Sequence, residues 1–305
     1  MKAVWSFWSK PFEATRRGTW LSEKHHLLSW ALSLQTASQH YRPTALYTDD
    51  AGARLLIDGI GLEFDQVFTS LNALDAYDPG WWATGKLYTY RVQQEPFIHI
   101  DSDVYLWQRL PRDLERASLL AQNPEFFVPN ASYYEPQTLE AALENHAATW
   151  LPPEWQWYRG SHLEQRGENC GIFGGQRVDF IRHYAAQALA FVEHEANRRV
   201  WRNLERKSNH TVLIEQYLLT ACIEYHRRIG GGPYRDVEID YLFTSMDDAF
   251  FSNKAIELGY THLIANAKQD PGIGELLETR VAEDWPALYE RCLDYVERES
   301  TQAVA

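Results

Sequence analysis

Apolar and polar positions in the first fifty residues follow two patterns, short apolar runs typical of strands and the 3.6-residue spacing of a helix, and they predict three elements. Lys2 to Trp8 is an apolar run of strand length. Behind an N-cap at Ser22, a helix is predicted by apolar side chains at helical spacing, namely Leu27, Trp30, Ala31, Leu34 and Tyr41. Thr44 to Thr48 is the second strand, and it ends at Asp49 and Asp50. The order strand, helix, strand predicts a parallel pair joined by a right-handed crossover.

The same patterns continue along the chain and predict an α/β fold. Further strands are predicted at 65–69, 97–100, 170–175, 236–243 and 261–264. Further helices are predicted at 85–94, through Phe180 to Val192, behind a cap at Asn209, and in a C-terminal segment at about 275–299. These elements favour a Rossmann-like mixed sheet flanked by helices. Since no repeat or Ser/Gly-rich linker divides the chain, we predict a single domain over residues 1–305.

One segment, at about 131–160, follows neither pattern. It is rich in aromatic side chains, which include Tyr133, Tyr134, Trp150, Trp155, Trp157 and Tyr158. Linkers are seldom so aromatic, so we expect a long loop or insertion here. Its aromatic rings have two possible roles, as a platform for an acceptor or as plain packing.

Composition and charge exclude several classes of protein. A hydrophobic content of 45% in 305 residues is enough for a buried core. No apolar stretch approaches the length of a bilayer span, so we expect a protein that is neither secreted nor membrane-spanning. The net charge of −13 disfavours nucleic acid as a partner, because a phosphate backbone requires basic patches. Cys170, Cys222 and Cys292 fit neither a disulfide framework nor a zinc knuckle, so we expect reduced thiols in the cytoplasm.

The most informative polar motif is Asp101-Ser102-Asp103, which follows the predicted strand 97–100. Ligand sites in α/β sheets lie at the carboxyl ends of strands. Strand alternation would turn Asp101 and Asp103 to the same side, where two carboxylates repel each other unless a cation lies between them. Mg²⁺ or Mn²⁺, with positions left open for phosphate oxygens, is the cation that this chemistry favours.

A second motif lies in the stretch from His262 to Lys268. A histidine at the end of a strand can complete the ligand set of a metal. A lysine six residues further on can neutralise a departing diphosphate. Asp101, Asp103 and His262 are therefore the predicted metal ligands.

In these two motifs the chain resembles the family 8 glycosyltransferases and their relatives with the GT-A fold. That family has Asp-x-Asp in mid-chain and His-x-x-Gly-x-x-Lys-Pro-Trp near its C-terminal end. The spacing from His262 to Lys268 matches, but Ala265 stands in the place of the glycine and Gln269-Asp270 in the place of Pro-Trp. The methyl group of Ala265 is expected to require a slightly wider turn.

Other short stretches occur in the order that the resemblance requires, over roughly residues 1–270. Asn169-Cys170-Gly171-Ile172 is similar to the family segment whose asparagine contacts the donor sugar. Glu215-Gln216 is similar to its Asp-Gln pair, which faces the anomeric centre. The resemblance thus implies catalytic roles for three residues and donor contacts for five others. The catalytic residues are Asn169, Glu215 and Gln216, and the donor contacts are Lys86, Lys268, Asp49, Ser102 and Ala265.

The resemblance implies a GT-A glycosyltransferase that binds Mn²⁺ or Mg²⁺ and transfers a sugar from a nucleotide-sugar donor. UDP is the implied nucleotide, and the implied stereochemistry is retention at the anomeric carbon. The acceptor is a saccharide or another hydroxyl compound. In such a scheme the departing phosphate can assist deprotonation of the acceptor, so no separate general base is required.

Several alternatives stay open at the level of the sequence. A noncatalytic protein that binds nucleotide or sugar with the same fold is one, and the departures at Ala265, Gln269 and Asp270 keep this alternative open. A haloacid-dehalogenase-type phosphatase also uses strand-Asp-x-Asp, but Tyr105 occupies the place of its threonine. Each site residue also has a structural alternative. His262 would then be a histidine near a strand end whose hydrogen bonds are satisfied within the protein, and Lys86 and Lys268 would be solvated surface lysines. Asn169 and Asp49 would be turn residues. Glu215 and Gln216 would lie on an exposed helix face.

Overall fold

The computed structural model of the protein describes residues 1–15, 18–127, 135–146, 149–229 and 232–302. The strands within these ranges are β1 (Lys2–Phe7), β2 (Thr44–Thr48), β3 (Gln66–Phe68), β4 (Phe97–Ile100), β5 (Val104–Leu106), β6 (Leu119–Ala121), β7 (Pro124–Phe126), β8 (Arg166–Glu168), β9 (Ile172–Gly175), β10 (Ile239–Tyr241) and β11 (Tyr260–His262). The helices are α1 (Ser9–Thr15), α2 (Glu23–Ser38), α3 (Asp50–Ala53), α4 (Thr84–Val92), α5 (Arg112–Glu115), α6 (Pro136–Glu144), α7 (Pro153–Arg159), α8 (Val178–Glu193), α9 (Arg198–Asn203), α10 (Lys207–Val212), α11 (Leu218–Ile229), α12 (Met246–Phe250), α13 (Lys254–Glu257), α14 (Pro271–Asp284) and α15 (Pro286–Gln302).

These elements form a mixed sheet of seven strands with flanking helices, which confirms the predicted α/β class. The chain divides into two compact units. Unit 1 comprises Met1–Ala73, His99–Leu110 and Ala255–Ala305, and unit 2 comprises Leu74–Ile98 and Pro111–Lys254. The assignment of residues 1–305 to a single domain stays a prediction.

Unit 1 contains three neighbouring strands of the sheet, in the order β1-β2-β3. β1 pairs with β2 in parallel, with Ala3 opposite Thr44, and β2 pairs with β3 in parallel. The predicted strand-helix-strand crossover is therefore present, with α2 as its helix. β1 and β2 are buried along almost their whole length, as expected for parallel strands that are covered on both faces.

A short antiparallel ribbon, β5 with β11, completes the strands of unit 1. His262 lies opposite Val104, and Tyr260 lies opposite Leu106. α2 packs against β5 and against the two C-terminal helices, α14 and α15. The ribbon therefore has a defined register and a helix packed behind it.

Unit 2 contains three neighbouring strands in the order β10-β6-β9, in which β6 is parallel to β10 and antiparallel to β9. The glycines of β9 are required by close packing. A Cβ atom on Gly174 would overlap the carbonyl oxygen of Phe97, and Gly175 has a φ of +134°, which L side chains rarely adopt. α4 packs on α8, and α7 packs on α11.

Two expectations about the middle of the chain need correction. The aromatic segment 131–160 is not simply a loop, because its described part contains α6 and α7; each begins with a proline in its first turn, where no N–H is needed. Tyr133 and Tyr134 lie outside the described residues. Asn209 is not a helix cap, since α10 begins at Lys207 and includes it.

Two negative findings concern the described residues only. None of their helices combines the length and the apolar character that a membrane span requires. All three cysteines are buried and free of disulfides.

Candidate functional site

The Asp-x-Asp motif of unit 1 lies in a turn and not in a strand. β4 ends at Ile100, and the N–H of Val104 donates to the C=O of Asp101 (3.0 Å), which closes the turn before β5 begins. The argument from strand alternation is therefore wrong, because the pleat has already ended. The turn itself brings the carboxylates of Asp101 and Asp103 into one cluster.

Three hydroxyl side chains on α2 hold this turn in place. Ser29 Oγ donates to the C=O of Ser102 (2.7 Å), and Ser33 Oγ donates to the C=O of Asp101 (3.0 Å). Thr36 Oγ1 accepts a hydrogen bond from the β5 backbone (3.2 Å). Their spacing of four and three residues puts them on one helix face. Sequence analysis missed them, although hydroxyl residues spaced four and three positions apart among the apolar residues of this helix were a visible signal.

His262 joins the cluster through the register of the ribbon. Because His262 is paired with Val104, its side chain lies beside the residue that precedes Val104. His262 Nε2 is 3.6 Å from Asp103 Oδ1, and one ligand atom each from Asp101, Asp103 and His262 lies within 4.8 Å of the others. The side chain of Asp101 is 24% exposed, whereas those of Asp103 and His262 are 9% and 8% exposed. The cluster is thus mostly buried and reaches solvent at Asp101.

Lys268 belongs to the same cluster. Its ammonium forms an ion pair with Asp103 Oδ2, and it lies 5.6 Å from the centre of the Trp20 ring, a cation–π distance. The backbone C=O of Lys268 accepts from the N–H of Leu21 (2.9 Å). The lysine is therefore held beside the carboxylates by its own chain and by the segment before α2.

The positions that differ from the family motif all have local structural roles. Ala265 adopts a φ of 45°, so it takes the left-handed conformation for which glycine is usual. Gln269 Nε2 donates to the C=O of Gly18 (2.5 Å), and Asp270 caps α14 by accepting from the N–H of Ile273 (3.0 Å). The turn between His262 and Lys268 thus keeps a glycine-like backbone.

The cluster places negative charge in a buried setting. Burial, and then the carboxylates of Asp101 and Asp103, raise the pKa of Tyr260 well above its ordinary value. Burial likewise raises the pKa of Tyr105, Asp103 adds to this rise, and the hydrogen bond between Tyr105 and Ser29 only partly opposes it. Deprotonation of either phenol would add a charge next to existing carboxylates. The ammonium of Lys268 already offsets part of this negative charge.

Asp49 is buried, and its carboxylate already accepts three hydrogen bonds. Its Oδ2 accepts from the N–H and the Oγ of Ser9 (both 2.8 Å), and its Oδ1 accepts from the N–H of Gly52 (2.7 Å) as the N-cap of α3. These contacts agree with its alternative role as a turn residue. Its contact with a nucleotide stays a prediction, as does that of Ser102, whose backbone belongs to the turn described above.

In unit 2, Lys86 and Glu215 form a buried ion pair. Lys86 Nζ lies 2.6 Å from Glu215 Oε1 and donates to the C=O of Cys170 (3.2 Å), and Glu215 is fully buried. Tyr184 Oη donates to the backbone C=O of Glu215. The alternatives of a solvated lysine and an exposed helix face at Glu215 are therefore wrong.

Glu215 and Gln216 lie in a π-helical turn, Leu213–Tyr217, between α10 and α11. Such turns insert one extra residue into a helix and are frequent at functional sites. The extra residue shifts the side chains that follow, so a pattern with a period of 3.6 does not reveal it. This feature of the site was missed for that reason.

Asn169 has the contacts of a turn residue and one further contact. Its Oδ1 accepts from the N–H of Gly171 (3.0 Å), which is an Asx turn, and its Nδ2 donates to Glu125 Oε1 (2.6 Å). It is nearly buried. The structure thus brings Asp101, Asp103, His262 and Lys268 together in unit 1, and Lys86 and Glu215 together in unit 2.

Comparisons with known proteins give a family and a fold likeness. The α/β chain belongs to the family of unknown function DUF6734, whose model matches residues 1–295. No curated protein matches its sequence. Among solved structures it is similar to the galactosyltransferase LgtC in complex with donor and acceptor sugar analogues. That match has 9% sequence identity, covers 70% of each chain and has a TM-score of 0.38.

Proposed function

We propose that this protein is a metal-dependent glycosyltransferase of the GT-A type, which transfers a sugar from a UDP-sugar to a hydroxyl of an acceptor. The observation that carries the proposal is the cluster of Asp101, Asp103 and His262 with Lys268 against it. Motif order along the sequence supports it. A phosphatase reading is weaker, because Tyr105 is buried and bonded to Ser29 (2.8 Å) where that class needs a threonine.

The three potential metal ligands fit a hard divalent cation. Two carboxylates offer oxygen atoms and one imidazole offers a nitrogen, and the ammonium of Lys268 already compensates the charge of one carboxylate. Asp101, Asp103 and His262 would hold Mn²⁺ or Mg²⁺. When bound, such an ion supplies Lewis-acid stabilisation of a departing diphosphate.

The residues of the chain have distinct proposed tasks. Lys268 offsets the charge that develops on the leaving nucleotide, since its ammonium can exchange Asp103 for a phosphate oxygen. Ser29 and Ser33 fix the turn, so that the carboxylates are positioned before the donor arrives. In unit 2, Asn169, Glu215 and Gln216 are the proposed contacts of the donor sugar, and Lys86 pairs with Glu215 at 2.6 Å.

Binding of UDP tests the metal cluster. Wild-type protein should bind UDP much more tightly with Mn²⁺ than without it, and Asp103→Asn should weaken this binding by about 100-fold, or about 2.7 kcal/mol. Asp58→Asn, an exposed acid of the same unit, is the matched control and should bind as wild type does. Isothermal titration calorimetry measures the UDP affinity of both variants and of the wild type. If Asp103→Asn is folded by circular dichroism and still binds UDP with wild-type affinity in Mn²⁺, the assignment of Asp103 as a metal ligand is wrong.

Turnover distinguishes an enzyme from a binding protein. Incubation with UDP-sugars and Mn²⁺ should release UDP slowly by hydrolysis, and proton NMR of a transferred product should show the donor's anomeric configuration retained. Binding of Mn²⁺ and UDP without hydrolysis of any donor would favour the noncatalytic reading. Inverted product would contradict the proposed retention while leaving transferase activity in place.

A further inference from the structure

Unit 2 contains a second group of potential metal ligands, which the proposed function does not use. Glu154 lies at the start of α7, His183 lies in α8 and His226 lies in the last turn of α11. One ligand atom of each lies within 4.8 Å of the others. Two nitrogens and one oxygen therefore converge from three helices.

The three atoms form a nearly regular triangle. His183 Nε2 is 3.0 Å from Glu154 Oε1, the two Nε2 atoms are 3.1 Å apart, and His226 Nε2 is 3.6 Å from Glu154 Oε1. A metal with bonds of about 2.1 Å holds neighbouring ligand atoms about 3.0 to 3.4 Å apart in octahedral or tetrahedral geometry. Two of the observed separations lie in this range, and the third, between His226 Nε2 and Glu154 Oε1, exceeds it by about 0.2 Å.

Hydrogen bonds alone do not satisfy this triangle. An imidazole nitrogen has one position in the ring plane, filled either by a hydrogen or by a lone pair. His183 Nε2 therefore cannot make full hydrogen bonds to Glu154 and to His226 at the same time. Glu154 Oε2 is buried and has no hydrogen-bond partner among the described residues. A cation among the three side chains would accept all the lone pairs that meet there.

The surroundings support a built site with access to solvent. Glu154 is 5% exposed, whereas His183 and His226 are 24% and 16% exposed. The ring of Tyr234 lies 5.0 Å from that of His183 and 5.2 Å from that of His226, and Phe180 packs on both imidazoles. Aromatic packing fixes the orientation of both rings, which a metal site requires.

We propose that Glu154, His183 and His226 bind a divalent transition-metal ion of the zinc type, with at least one coordination position open to solvent. The nitrogen-rich set distinguishes it from the carboxylate cluster of unit 1, because imidazole favours Zn²⁺ and its neighbours over Mg²⁺ or Mn²⁺. A bound ion links α7, α8 and α11, so it stabilises unit 2 by mass action.

Cobalt provides the direct test, since Co²⁺ takes the place of Zn²⁺ and absorbs visible light. Chelator-stripped Asp103→Asn protein, in which the cluster of unit 1 is disabled, should bind one equivalent of Co²⁺, and Zn²⁺ should displace it. Strong visible bands would mean a tetrahedral site, and a weak octahedral spectrum supports binding where equilibrium dialysis finds one equivalent of Co²⁺ retained by the protein. The melting temperature should rise by several degrees with Zn²⁺.

Variants locate the ion. His183→Ala and His226→Ala should each weaken Co²⁺ binding by more than about 100-fold, because loss of an outer-shell partner alone costs 10–100-fold. Glu154→Gln keeps the volume of the side chain and should weaken binding in the same direction. His162→Ala, an exposed histidine of unit 2, is the matched control and should leave the affinity unchanged.

Two results would overturn the proposal. One is stoichiometric Co²⁺ binding that persists in both histidine variants, which would put the ion elsewhere. The other is a folded Asp103→Asn protein that binds neither Co²⁺ nor Zn²⁺ at micromolar concentrations. Binding of Mn²⁺ and UDP by His226→Ala should match wild type, so failure here is distinguishable from failure of the glycosyltransferase proposal.

Discussion

Each unit contains an acid–lysine pair among the residues that the sequence singled out, and the two pairs differ in their surroundings. In unit 1, Lys268 pairs with Asp103 next to Asp101, whose side chain is 24% exposed. In unit 2, Lys86 pairs with Glu215, whose side chain is 0% exposed. The first pair lies beside a partly exposed carboxylate, as its proposed exchange with a ligand requires. The second is enclosed by protein, so its main energetic role is within the fold.

Breaking the buried pair should have the largest effect. Lys86→Met leaves Glu215 as an uncompensated buried carboxylate and should lower the free energy of unfolding by about 3–5 kcal/mol. Urea unfolding followed by circular dichroism measures this change. Lys254→Met, which breaks the pair of an exposed lysine with Asp248, should change the free energy of unfolding far less, because solvent screens that pair. Equal decreases in the free energy of unfolding of the two variants would contradict the expected difference between the buried pair and the solvent-exposed one.

Removing both partners of the buried pair should restore much of that loss. A buried ion pair is often replaceable by apolar residues of similar volume, because the desolvation cost disappears with the charges. The double variant Lys86→Met with Glu215→Leu should therefore be at least about 2 kcal/mol more stable than Lys86→Met alone. The same urea measurement tests it. If the double variant lost stability additively, direct coupling between the two side chains would be excluded.

Removing the accessible lysine should affect ligand binding more than stability. Lys268→Met should lower the free energy of unfolding by less than about 2 kcal/mol and weaken UDP binding in Mn²⁺ about tenfold, or about 1.4 kcal/mol. Mn²⁺ should raise the melting temperature of this variant more than that of wild type, since the metal replaces the lost ammonium. Lys24→Met, which breaks the ion pair with Glu278 in the same unit, is the control for UDP binding. Unchanged UDP affinity in Lys268→Met would remove the lysine from the site.

The smallest predicted effect concerns the turn that carries Lys268. Ala265→Gly removes the strain of a positive φ, about 1 kcal/mol, but adds backbone entropy of similar size in the unfolded chain, so stability should be unchanged or rise by up to about 1 kcal/mol. Ala267→Gly in the same turn has no such strain to relieve and should lose about 0.5–1 kcal/mol. The melting temperatures of the two variants, measured by thermal unfolding, test this difference. If glycine lowered the stability equally at both positions, the positive φ of Ala265 would not be a source of strain.

Sequence reasoning found the features that depend on neighbouring residues. Strands β1, β2 and β4 lie where apolar runs predicted them, because alternation and β-branched content are local properties. The Asp-x-Asp motif and the spacing from His262 to Lys268 were also readable, since a short spacing nearly fixes the distance between side chains. The aromatic segment was read less well. Trp155, which the sequence left as either an acceptor platform or packing, is fully buried and donates to Glu140 (2.7 Å).

Other features depend on contacts between distant parts of the chain. The sequence by itself determined the α/β class, the strand that precedes Asp101 and the residue types able to bind a metal with phosphate. Only the tertiary structure decided that His262 meets Asp103, since this follows from the β5–β11 register, and that Glu154, His183 and His226 converge from three helices. The physical reason is that local periodicity follows from backbone geometry, whereas register and helix packing are set by the burial of side chains far apart in sequence.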